Sequence, residues 1–156
     1  MITKTNNMNK MKKVFLLLIT TIILCACKSD VNINSITFKE LDSINSEPKE
    51  HIIKFLENSD YVLLNNQPTS EQWKSNNGKE IIQFNGEGVL VFLTYNENIY
   101  TSLIEDLKKS KYISTGTSVN NGIEVESYSK NHETIFISSS INTDKENKIY
   151  SITFLK

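Results

Sequence analysis

Gln72-Trp73-Lys74-Ser75, Glu80-Ile81-Ile82-Gln83-Phe84 and Val89-Leu90-Val91-Phe92-Leu93-Thr94-Tyr95 are three β-rich runs, punctuated by Asn77-Gly78 and Asn85-Gly86. Asn and Gly tolerate the positive φ of hairpin turns, so the stretch reads as an antiparallel meander. Upstream, 61–64 is β-rich and Gln67-Pro68-Thr69-Ser70 is a loop. Before it, Ser46 and Pro48 open a helix whose apolar stripe is Ile52, Ile53 and Leu56, and which stops near Asn58 or Ser59. Thr37 with Glu40 makes a capping-box pattern ahead of Phe38, Leu41 and Ile44; it reads as a short first helix, with a strand through Ile36 and Phe38 as the competing reading.

Downstream the plan recurs. A helix over 98–110 carries Tyr100, Leu103, Ile104 and Leu107, followed by strands near 112–119, 123–129, 134–141 and 149–155. Asn120-Asn121-Gly122 matches Asn76-Asn77-Gly78 at a 44-residue offset, with Glu124 and Tyr128 answering Glu80 and Phe84. Leu107, Ser110 and Tyr112 match Leu56, Ser59 and Tyr61 at an offset of 51. Two readings fit: a tandem α-β-β-β(-β) repeat over 46–95 and 96–156, or two unrelated units of similar pattern. Either gives an α+β fold, a single domain over 36–156 with helices on one face of an antiparallel sheet and the other face solvated.

Function is expected on that free face. Thr115, Thr117, Ser127, Ser129, Ser138 and Ser140 make it small and polar, and Glu124 and Glu126 stand two apart on one side of their strand. Trp73, the sole tryptophan, is core if it faces the helices and a binding hot spot if it faces the open sheet. The candidate partner-binding residues are therefore Trp73, Glu124 and Glu126. A hydrolase would need Glu124 and Glu126 to converge in a cleft with His132, which sits in a hairpin tip; His51, the other histidine, lies beside a helix stripe. Ser138-Ser139-Ser140 lacks the glycine-flanked nucleophile turn and no phosphate-binding glycine loop is present, so neither catalytic residues nor a metal or cofactor are expected.

Leu24-Cys25-Ala26-Cys27 closes an apolar run, 14–24, behind Lys10, Lys12 and Lys13. That run is too short for a spanning helix, which needs about 20 residues. Charged n-region, apolar h-region and small Ala26 before Cys27 fit a cleaved signal. The segment resembles the lipobox of bacterial lipoproteins. The resemblance implies that 1–26 is removed, that Cys27 is lipidated and becomes the first mature residue, and that 27–35 tethers a domain to the membrane. Met8 and Met11 precede a better-shaped signal than Met1 does, and Met11 is the preferred start. Lys28 after Cys27, in place of Asp, implies the outer membrane in a Gram-negative cell, periplasmic or surface-facing.

From Cys27 onward the chain keeps 13 Lys against all 18 acids, a net charge of −5, which argues against nucleic acid as a partner. No Arg occurs anywhere, so bidentate capture of carboxylates or phosphates is closed to this chain. Both cysteines lie in or at the end of the signal segment, so the folded domain has neither a disulfide nor a thiolate metal site and depends on its core.

The paired helix-plus-meander layout is similar at fold level to the secreted β-lactamase inhibitor protein and to PepSY-like modules, whose sheet grips a partner protein. Together with the lipobox, the resemblance implies a lipid-anchored module that binds an envelope protein or peptide through its open sheet face, an inhibitor or immunity protein being one specific form. The alternative is a lipoprotein binding a small molecule or glycan for uptake or envelope maintenance, with a cavity between sheet and helices; an aromatic-lined pocket would mark it.

Overall fold

The computed structural model describes residues 35–156 apart from 68–69, 86–87, 121, 143–146 and 156, all within the compact unit Asn34–Lys156. Cys27, the signal segment and the tether up to residue 34 lie outside the described residues. In chain order the elements are α1 (Phe38–Asn45), α2 (Lys49–Asn58), β1 (Tyr61–Gln67), β2 (Ser70–Ser75), β3 (Glu80–Asn85), β4 (Val89–Thr94), α3 (Glu97–Lys109), β5 (Ile113–Asn120), β6 (Ile123–Lys130), β7 (Glu133–Asn142) and β8 (Asn147–Leu155). None of the described helices is long and apolar enough to cross a membrane.

Local chemistry accounts for the helix ends. Thr37 Oγ1 accepts from the Glu40 amide (3.3 Å) and Glu40 Oε2 accepts from the Thr37 amide (2.7 Å), a reciprocal capping box that decides for helix over strand at Phe38. Asn96 caps α3 by accepting from the amides of Asn98 and Ile99.

All eight strands form one antiparallel sheet in the order β1-β2-β3-β4-β8-β7-β6-β5. Leu90, Phe92 and Thr94 of β4 are buried under the helices, and Val89, Val91 and Leu93 turn to the other side. The core is the helix-facing surface, with Ile82, Leu90, Phe92, Ile135, Ile152 and Phe154 of the sheet against Leu41, Leu56, Leu103 and Leu107 of the helices. Each such apolar side chain contributes about 1.5–3 kcal/mol on burial. Helices on one face of an antiparallel sheet are what the sequence pattern predicts.

The order 1-2-3-4 meeting 8-7-6-5 joins two four-stranded meanders through their last strands. Their registers correspond residue by residue: Leu63↔Trp73, Trp73↔Ile82 and Ile82↔Phe92 in the first half, and Ser114↔Tyr128, Tyr128↔Ile135 and Ile135↔Phe154 in the second. Each first strand is bulged at the same point, between Leu63 and Asn65 and between Ser114 and Gly116. Across the seam, Leu90 pairs with Phe154 and Phe92 with Ile152, so a local two-fold axis passes between Val91 and Thr153. A bulge bends a strand and leaves one residue unpaired, and the two meanders share its position.

The 51-residue offset is in phase with this symmetry, since Tyr61 and Tyr112 each stand two residues before Leu63 and Ser114. The 44-residue offset is not: Asn77-Gly78 joins β2 to β3, whereas Asn121-Gly122 joins β5 to β6. Asn-Gly suits any tight hairpin, so it carries no phase. The first copy has an additional helix, α1, which lies against α3 as well as α2, and Phe38 rings meet Tyr112 and Phe154 of the second copy at 6.0 Å.

Candidate partner-binding face

Alternation along each strand, carried across the sheet by the register, sorts the strand residues into two faces. One row of the helix-free face runs Lys74, Ile81, Leu93, Ser151, Ser138, Val125, Ser118; the next runs Gln72, Gln83, Val91, Thr153, Phe136, Ser127, Gly116. A third runs Ser70, Asn85, Val89, Leu155, Thr134, Ser129, Ile113. Ile81, Val89, Val91, Leu93, Phe136 and Leu155 thus form a half-buried apolar centre about the local dyad, flanked by hydroxyls and carboxamides. Ser138 Oγ and Ser151 Oγ hydrogen-bond each other at 2.8 Å within it. The face is more apolar than the small, polar surface expected from its serines.

Charge is distributed against the usual sense. Among the described strand residues Lys74 is the one charged side chain on the open face, while Glu71, Glu80, Glu124, Glu126, Lys130, Glu133 and Lys148 lie on the helix side. Several of the latter hold aromatic tips. Glu71 accepts from Trp73 Nε1 (3.1 Å) and pairs with Lys49 (2.7 Å), and at the equivalent place Glu126 accepts from the Tyr128 hydroxyl (2.9 Å).

This geometry decides between the two readings of Trp73 and corrects the face assigned to Glu124, Glu126, Thr115 and Thr117. Trp73 is 5% exposed and lies in the core with its indole N–H satisfied, so it is no hot spot of the open face. Glu124 and Glu126 point to the helix side, because they share strand parity with buried Tyr128; Ser127 and Ser129 have the opposite parity, so the two sets cannot share a face. Glu126 stands near Tyr100 of α3, whose phenol burial pushes up to about 12 with the Glu126 charge adding to the effect. Thr117 likewise pairs with Glu126 on the helix side, and Thr115 falls in the bulge.

His132, at the β6–β7 turn, lines a cavity of about 530 Å³ with Asp42, Ser46, Lys130, Asn131 and Glu133. Along β6 the four steps from Lys130 to Glu126 span roughly 14 Å at ~3.4 Å each, so His132 and the Glu124–Glu126 pair do not converge. His51 is exposed, with Nδ1 2.9 Å from Glu47 Oε2 one turn earlier. The Tyr112 hydroxyl lies 2.6 Å from Oδ1 of the lining residue Asp42 and 2.8 Å from Oε2 of Glu133, and Lys130 Nζ is 3.2 Å from Asp42 Oδ2. Burial first, then these two carboxylates, raise the Tyr112 phenol.

The equivalent pair in the first copy is sealed. Tyr61 donates to Glu80, which is 0% exposed and has no cation partner among the described residues. Burial pushes the Glu80 carboxyl up, with the hydrogen bond from the Tyr61 hydroxyl pulling the other way. Neither Tyr–Glu pair was singled out in the sequence; its signal is Tyr61 and Tyr112 at the 51-residue offset, each with Glu at the head of the third strand that follows. Compared with known proteins, the chain matches no family model, no curated protein and no solved structure.

Proposed function

We propose that the chain is a lipid-anchored cell-envelope protein that binds a protein or peptide partner through the open face of its sheet. The observation that carries this reading is the inverted charge distribution among the described strand residues: an apolar centre with a single charged residue, Lys74, on the solvated side, and seven charged residues on the helix side. A face kept for solvation alone has no reason to shed charge, whereas the core of an interface is depleted in charged residues. Cys27, through covalent lipid, holds the domain at the membrane, the outer membrane in a Gram-negative cell. An inhibitor or immunity protein is one specific form of this reading.

The glycan-binding alternative draws less support. Among the described strand residues of the open face Phe136 is the one aromatic, while Trp73, Tyr61, Tyr128 and Tyr150 are buried on the helix side, so no stacking platform for sugar rings is presented.

The test is a crosslinking pull-down from the native organism with the tagged, lipidated chain, a Cys27→Ala form and a Val91→Arg form. The expected result is one stoichiometric partner held by the lipidated chain and lost on Val91→Arg. A partner indifferent to Val91→Arg, or none above background, overturns the reading. Metabolic labelling with a palmitate analogue, present on the native chain and absent from Cys27→Ala, tests the anchor.

A further inference from the structure

Among the described strand residues Lys74 is the one charge on a face otherwise made of apolar, hydroxyl and carboxamide groups. Its side chain is half-buried and lies along the β2–β3 turn, with Cε 3.3 Å from the place where a Cβ on Gly78 would stand. Lys49, Lys109 and Lys130 each have a carboxylate within 4 Å, but Lys74 has none among the described residues. A partner that covers Ile81, its cross-strand neighbour, takes water from the ammonium, and an unpaired ammonium out of water is costly. The partner must therefore bring the compensating charge.

We infer that the segment docking on this face is an amphipathic helix laid across the strands, with an Asp or Glu side chain that pairs with Lys74 and apolar side chains that cover Ile81 and Leu93. The inference rests on the open-face reading of function. The row Lys74, Ile81, Leu93 runs perpendicular to the strands, so its members are spaced by roughly 5 and 10 Å at ~4.8 Å per strand. One and two turns of an α-helix rise ~5.4 and ~11 Å, which puts the acid at position i and the apolar residues near i+4 and i+7. Beyond Leu93 the row continues as Ser151 and Ser138, which already bond each other and ask no charge of the partner.

The test is selection of helix-forming peptides from a randomised displayed library on the immobilised full chain, followed by binding to Lys74→Glu and Val91→Arg forms. Selected peptides are expected to carry Asp or Glu one turn from apolar residues, to lose all binding on Val91→Arg, and to weaken about tenfold or more on Lys74→Glu. Selection on Lys74→Glu is expected to return Lys or Arg at the same place. Peptides that need Val91 but bind Lys74→Glu unchanged overturn the charge pairing and leave the open-face reading standing. Peptides indifferent to Val91→Arg, or no binders at all, overturn both. Val91→Ser, which removes apolar surface without adding charge, replaces the arginine variant if that one fails to fold.

Discussion

Replacing Tyr61 and Tyr112 by Phe, one at a time, removes the same hydroxyl from equivalent places of the two repeats and should give unequal costs. Tyr61 donates to Glu80, which water does not reach; deleting the donor leaves a buried carboxyl short of a partner. Hydrogen bonds to such groups are worth about 1.5–3 kcal/mol, so Tyr61→Phe should cost about 2 kcal/mol. Asp42 and Glu133, the partners of Tyr112, keep 26% and 23% of their side-chain surface and open onto the polar cavity. Water replaces the lost donor there, and Tyr112→Phe should cost below about 1 kcal/mol. For a domain of this size each kcal/mol moves Tm by roughly 3–5 °C. The first cost should also depend on pH. The Tyr61 hydroxyl holds the Glu80 pKa down against burial, so its loss raises that pKa further. Glu80 is neutral in both forms at low pH, where the difference is smallest, and the cost of Tyr61→Phe grows as pH rises through the folded pKa of Glu80. Chemical denaturation of both variants across pH 4 to 8 reads all of this. Equal costs at the two sites, or a Tyr61→Phe cost that is flat with pH, would refute the reasoning.

Glu80→Gln removes the charge and keeps the shape. Because burial raises the folded pKa of Glu80 above its ordinary 4.5, the stability conferred by the neutral acid is full below that value and is lost as pH rises through the folded pKa. The variant should therefore melt above the parent at neutral pH, and the two curves should merge below about pH 4.5; a variant that melts lower at pH 8 contradicts this. Phe92→Leu and Phe154→Leu, equivalent about the dyad, should each cost about 1–2 kcal/mol, with Phe154 the dearer by about 0.5–1 for its lost ring contact with Phe38. Equal costs would mean that α1 adds nothing there. Val91→Arg, on the open face, should change unfolding free energy by less than about 1 kcal/mol; a loss of several kcal/mol would show that Val91 is core and the face is not free.

The elements were legible because their signals are local: the Thr37–Glu40 cap, the helix stripe of Ile52 and Leu56, and the Asn-Gly turns all act within a few residues. The fold class followed from their order. The faces were legible as well, but only to a strict count of two. Glu124, Glu126 and Tyr128 share one parity, and Ser127 and Ser129 the other, so the large aromatic should have taken the carboxylates inward. Trp73 could not be placed this way, since Gln72 and Lys74 flank it equally; its burial is settled by its cross-strand neighbour Ile82 in the core, a non-local fact. The charge-poor open face escaped notice for the same reason. β1, β4 and β5 carry no charged residue on either side, so the inversion emerges only when the seven ladders of register are laid side by side.

The two-fold relation also bears on what a partner would do to the domain. The axis emerges on the open face between Val91 and Thr153, the point where the fourth strands of the two repeats meet. A partner centred on Val91 therefore touches both repeats at once, with Ile81 and Leu93 on one side and Phe136 on the other. On the helix side the halves are already tied by α1, whose Phe38 reaches Tyr112 and Phe154 and whose Asp42 meets Tyr112 and Lys130. Among the described residues the open side of the seam has no such brace beyond the strand ladder and the Ser138–Ser151 bond, which lies within the second copy. Binding across the dyad would supply the missing clamp, so its free energy is shared by both repeats and the seam is stiffened from the face the helices leave uncovered. The half-buried apolar residues of the open face gather at the dyad, whereas Val62 of β1 and Ile113 of β5 stand exposed at the sheet's edges. Residues there would contact only one repeat, and covering them would add area without joining the halves.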